Sequence, residues 1–88
     1  MADKEPNFRL LILTPERVLF EGEAESLVLP GEGGVFEILA FHKKILSRLL
    51  SGHIIINQKE SFQIRRGVVK AASNEVVLIV EEALEVAG

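Results

Sequence analysis

Apolar positions along this chain arrive in short dense runs, each closed by proline, glycine or a small polar cluster. The run from Phe8 to Thr14 ends at Thr14-Pro15-Glu16, where proline has no N–H to give a sheet ladder, so the pattern predicts a strand followed by a turn. Val18 to Glu21 reads as a second strand, broken by Gly22. Glu23 to Leu29 reads as a third, stopped by the turn dipeptide Pro30-Gly31. Gly31, Gly33 and Gly34 mark a tight loop, and Val35 to Leu39 follows as a fourth strand, rich in β-branched and aromatic residues and too short for a stable helix.

The stretch from Lys43 to Leu50 has a different rhythm. Ile45, Leu46, Leu49 and Leu50 share one face of a helix, and Gly52 stands where a helix would terminate, so pattern alone favours one or two helical turns. His53 to Asn57 contains three consecutive isoleucines and reads as a strand buried on both faces. Gln58 to Ser61 is a polar reversal. Phe62 and Ile64 then alternate with Gln63 and Arg65 as the half-exposed return of a hairpin, Gly67 interrupts, and Val68 to Ala71 continues. Ser73-Asn74 turns the chain into Glu75 to Val80, whose Val-Val-Leu-Ile-Val centre is the clearest strand signal of all. Eight or so short strands at this spacing predict an all-β fold, a β-sandwich or flattened barrel with Ile54, Ile56, Val77 and Ile79 in its core.

Composition narrows the possibilities. With 88 residues there is room for one domain and one core. At 48% hydrophobic residues and a mean hydropathy of +0.27, that core is too small to hide every apolar side chain, which predicts an apolar face or edge left for a partner. A net charge of -3 argues against nucleic acid, whose binding rests on cationic contacts to phosphate. The absence of cysteine removes disulfides, thiol catalysis and thiolate metal sites together. No apolar run approaches the roughly 20 residues of a membrane-spanning helix, and the amino terminus has no apolar signal core.

Few residues suggest chemistry. His42 and His53 lie eleven residues apart with no third ligand in view, which gives metal binding no support, and no serine sits in a Gly-x-Ser-x-Gly setting. Gly31-Glu32-Gly33-Gly34 is followed by neither Gly-Lys-Ser/Thr nor a helix, so it reads as a structural turn and not a phosphate loop. Glu21, Glu23 and Glu25 alternate onto one solvated face. The charge feature with interaction potential is the basic group of Lys43, Lys44 and Arg48 beside Phe41. No catalytic, cofactor-binding or metal-binding residue is expected.

Three ordered segments carry a family resemblance: Leu11-Ile12-Leu13-Thr14-Pro15-Glu16, then Phe20-Glu21-Gly22-Glu23, then Ser26-Leu27-Val28-Leu29-Pro30-Gly31. At this spacing they resemble the opening of the epsilon subunit of F-type ATP synthases, with its pattern Ile-Val-Thr-Pro-Glu, Phe-x-Gly-Glu, Ser-Val-x-Val-Pro-Gly. The likeness continues through Leu50-Ser51-Gly52, Arg66-Gly67-Val68 and Asn74-Glu75-Val76-Val77-Leu78, and so spans residues 8 to 82. It implies a flattened β-sandwich of about ten short strands over residues 8–82, between a tail at 1–7 and a tail at 83–88. It makes the Lys43 to Leu50 region mostly extended, against the helical pattern.

The resemblance further implies a non-catalytic subunit of the central stalk, peripheral at the cytoplasmic face of an energy-transducing bacterial membrane, that joins the gamma subunit to the c-ring during ATP synthesis. The family's Gly-Glu-Phe-Gly-Val-Leu-Pro-Gly-His-Ala-Pro is replaced here by Gly34-Val35-Phe36-Glu37-Ile38-Leu39-Ala40-Phe41-His42-Lys43-Lys44. The expected contact loops to the c-ring or gamma are Glu32, Gly33, Gly34 and Val35, and then Phe41, His42, Lys43 and Lys44, with the two lysines replacing lost ring contacts and Glu32 or Glu37 substituting for the acid missing at Val35. Longer members carry a carboxy-terminal helical pair that inhibits hydrolysis and in some binds ATP. The six residues after Glu82 would span roughly 9 Å as a helix, so neither inhibition nor ATP binding is expected. The competing readings are a stand-alone β-sandwich interaction module using a strand edge and, more weakly, a small hydrolase using His42 or His53.

Overall fold

The computed structural model describes residues 6–86. Eight strands run in the order β1 (Phe8–Leu13), β2 (Val18–Ala24), β3 (Ser26–Gly31), β4 (Gly34–Leu39), β5 (Ile45–Leu49), β6 (Gly52–Ile56), β7 (Glu60–Ala72) and β8 (Glu75–Val86), with no helix among the described residues. The Ile45–Leu49 segment is a strand, as the resemblance implied. The helical spacing of its leucines is overridden because Ile45 to Leu49 pairs antiparallel with Ala71 to Gly67.

The path β2-β1-β8-β7-β5-β3-β4 folds over itself as a flattened sandwich, with β6 between β3 and β7. β7 is the seam. Its first half pairs with β6 and its second half with β5, while β8 accompanies it throughout and pairs in parallel with β1 through Glu75 to Ile79. The interior is filled from every strand: Phe8, Leu10 and Ile12, then Leu27 and Leu29, Ile38, Leu49, Ile54 and Ile56, Phe62, Ile64 and Val69, and Val76, Leu78 and Val80. With Ala24 of β2 and Ala71, these make seventeen buried apolar side chains among the described residues; each of the larger ones is worth about 1.5–3 kcal/mol, and this is the main force holding the fold.

Several boundaries differ from the sequence reading. Gly22 does not break β2, which runs on to Ala24; the chain turns instead at Glu25, where the Asn57 side chain receives the backbone. Gly67 does not divide β7. It lies within the strand because a Cβ there would stand 2.5 Å from the Ile79 carbonyl oxygen and 3.0 Å from the Val80 Cα, so the close approach of β8 requires glycine. β8 continues past Glu82 to Val86, paired with β7 down to Ser61, where a tail was expected. Residues 1–5 of the expected amino-terminal tail, and residues 87 and 88, lie outside the described residues.

Ile54 and Ile56 are in the core, but Val77 and Ile79 are not. They alternate with Val76, Leu78 and Val80, which point inward, so the outer face of β8 is also apolar and Ile79 is 51% exposed.

Candidate interaction surfaces

Two bare regions follow from this packing. The first is the outer face of β5, β7, β8 and β1. Register places Arg48, Val68, Ile79 and Leu13 side by side across the four strands. The next row is Leu46, Lys70, Val77 and Leu11, with Glu21 of β2 beyond. Opposed residues in a ladder share a face, so Leu46, Val68, Val77, Ile79, Leu11 and Leu13 form one apolar stripe. Leu46 is 80% exposed and Val68 40%, while Leu11, Leu13 and Val77 are half-buried. Cations stand at the β5 and β7 side of the stripe and Glu21 at the β2 side, where Arg9 approaches it at 3.8 Å.

The second region comprises the expected contact loops, which the structure does not bring together. Glu32 and Gly33 form the turn between β3 and β4. Phe41 to Lys44 follows the far end of β4, so the two groups are separated by that strand, roughly 17 Å at about 3.4 Å per residue. At the turn, Gly34 has a φ of 123°, Val35 is exposed, and the Glu32 carboxylate meets Arg48 at 3.4 Å. Gly31 lies beneath the Phe36 ring, where a Cβ would stand 2.6 Å from it. The main chain there is held by the Leu50 N–H donating to the Pro30 carbonyl at 2.8 Å.

At the other end, Phe41 has a φ of 60° and is 79% exposed. Asn74 fixes this segment. Its Oδ1 accepts the Phe41 N–H at 2.7 Å, its Nδ2 donates to the Asn7 carbonyl at 2.8 Å, and its own carbonyl accepts the Arg9 N–H at 3.1 Å. His42 turns inward, its ring edge-on to Phe8 at 6.1 Å and its Nδ1 within 3.0 Å of the Lys43 carbonyl, with its buried Nε2 left without a hydrogen-bond partner among the described residues. Lys43 and Lys44 are exposed.

Little else in the described residues has the form of a reaction centre. No three of His, Cys, Asp or Glu lie close enough to hold a metal ion, and His53 is exposed on β6, apart from His42. An open groove of about 570 Å³, lined by Ser51, Gln63, Ile64, Arg65, Ala83 and Leu84, has its serine hydroxyl engaged with the Arg65 carbonyl. The sequence reading expected an apolar face or edge but did not locate it, because it put Val77 and Ile79 in the core, although the unbroken run Val76-Val77-Leu78-Ile79-Val80 was its signal: a strand apolar on both faces needs cover on both.

The fold and these surfaces define a flattened β-sandwich with an apolar outer face. Residues 7–86 match the family model of the ATP synthase delta/epsilon chain β-sandwich domain, and the chain belongs to that family. It is 34% identical over 86 residues to the ATP synthase epsilon chain of Chlorobium limicola, covering 93% of this chain and 98% of that one. It is 40% identical over 84 residues to the ATP synthase epsilon chain of Sulfurimonas denitrificans, covering 91% of this chain and 65% of the relative. The fold recurs in the mitochondrial ATP synthase of Euglena gracilis, in a structure of its OSCP, F1 and c-ring, with a TM-score of 0.84 at 13% identity over 96% of this chain and 56% of that one. It recurs also in the central stalk and c-ring structure of the Tetrahymena thermophila enzyme, with a TM-score of 0.76 at 15% identity over 96% and 69%. No helix among the described residues is long and apolar enough to cross a membrane.

Proposed function

We propose that this chain is a non-catalytic central-stalk subunit of a proton-translocating ATP synthase, at the cytoplasmic face of the membrane, joining a gamma subunit to a c-ring. The observation that carries the reading beyond family membership is the apolar stripe. Val68 and Ile79 face each other on the outside of the sandwich with neighbouring leucines and valines, and exposed apolar surface of this extent on so small a domain is stabilised by a partner. Burial of that stripe against gamma would give rigid attachment, which is the property a rotor element needs.

Separation of the two loops supports a division of labour. A sandwich held between two partners presents opposite ends to them, and here those ends are the Glu32 to Val35 turn and the Phe41 to Lys44 segment. The turn carries the acidic group, Glu32, and is assigned to the c-ring. The segment after β4 runs directly into β5, whose Leu46 lies on the apolar face, and is assigned to gamma in place of the ring contact expected from the sequence for Lys43 and Lys44.

The test is reconstitution. Purified gamma from the same source, mixed with this chain at micromolar concentration, should elute as a one-to-one complex in size exclusion. Two separate peaks would reject the stalk reading.

A further inference from the structure

We infer that Phe41 is the anchor by which this chain recognises its partner, inserting into an apolar pocket rimmed by carboxylates. This rests on the stalk reading for the partner's identity. Three observations converge on it. A φ of 60° is a left-handed conformation that bulky residues rarely take. The ring is 79% exposed, so folding of the isolated chain gains little from it. The conformation is nonetheless held in place, because Asn74 accepts the Phe41 N–H while it ties down Asn7, and His42 packs its ring edge against Phe8 immediately behind.

An aromatic side chain that is strained, exposed and rigidly supported has the form of an interface anchor, since an anchor ordered in advance loses less freedom on binding. The chemistry of the occupant follows from the flanks. Lys43 and Lys44 are exposed on one side, and the chain then enters β5 toward Leu46 on the apolar stripe. The complementary surface is therefore an apolar notch with acidic side chains next to it, continuous with the surface that covers the stripe. Asn74 is a positioning residue for this anchor: it makes no contact with the partner and sets where Phe41 stands.

The test uses the full chain and gamma from the same source. Phe41→Gly removes the ring and relieves the backbone together, so the variant should be at least as stable to heat as the wild type while binding gamma about tenfold or more weakly. Lys43→Glu with Lys44→Glu should slow association and reduce its salt dependence. Asn74→Ala should weaken binding in the wild-type background and have little effect on it in the Phe41→Gly background, which a merely structural role would not produce. Wild-type affinity in Phe41→Gly would overturn the anchor and leave the stalk reading standing. Failure of the wild-type chain to bind gamma would remove both. Loss of self-association in Phe41→Gly, with gamma binding unchanged, would reassign the ring to a contact between copies and overturn the proposal.

Discussion

The Asn57 side-chain oxygen accepts the Glu25 backbone N–H at 2.6 Å, across 32 residues of sequence, and the Ser26 N–H at 3.3 Å. This closes the corner where β2 gives way to β3, at a point where Ser26 is buried and its carbonyl accepts the Asn57 N–H at 2.9 Å. Asn57→Ala leaves those two N–H groups without an acceptor and also places alanine at a φ of 55°. A loss of about 1–3 kcal/mol in urea unfolding is expected. Asn57→Asp keeps the acceptor and should recover most of it; equal damage from both would show that the oxygen is not what matters.

Gly67 faces the β8 backbone so closely that even one methyl group must displace a strand. Gly67→Ala is expected to destabilise the sandwich by about 1–3 kcal/mol through overpacking. Gly33→Ala, where the added carbon meets nothing within 4 Å, serves as the control and should be close to neutral. Thermal unfolding of the two variants side by side decides it.

The two faces of β8 should separate stability from assembly. Leu78→Ala opens the core and should cost about 2–5 kcal/mol. Val68→Thr with Ile79→Thr keeps β-branching on an exposed cross-strand pair and should change stability by less than about 1 kcal/mol. The double variant should nevertheless weaken the complex with gamma, read by titration calorimetry. Undiminished affinity would move the docking surface elsewhere.

At the turn between β3 and β4, the Glu32 to Arg48 pair is largely solvent-exposed, so its loss should alter stability by less than about 1 kcal/mol. If the turn meets the c-ring, Glu32→Lys should lower proton-driven ATP synthesis in reconstituted vesicles while gamma binding is preserved. Normal synthesis by the variant would withdraw Glu32 from the ring contact.

By itself, the sequence determined the class of fold and most of its strands. The turns are chemically explicit: Thr14 accepts the Arg17 N–H and donates to its carbonyl beside Pro15, and Ser73 and Asn74 both take positive φ in a two-residue hairpin. Such signals are local, and so they are legible without the rest of the chain. Tertiary structure alone decided the questions in which both answers were apolar or both were polar. Ile79 and Leu78 are equally suited to a core, and only the pairing of β8 between β1 and β7 turned Leu78 inward and left Ile79 bare. Leu46 and Leu49 satisfy a helix as well as a strand until the edge of β7 offers hydrogen bonds to an extended segment. The side chain of Asn74 holds Phe41 from 33 residues away, a contact with no trace in the spacing, because it exists only once β1, β4 and the β7–β8 hairpin converge at one end of the sandwich.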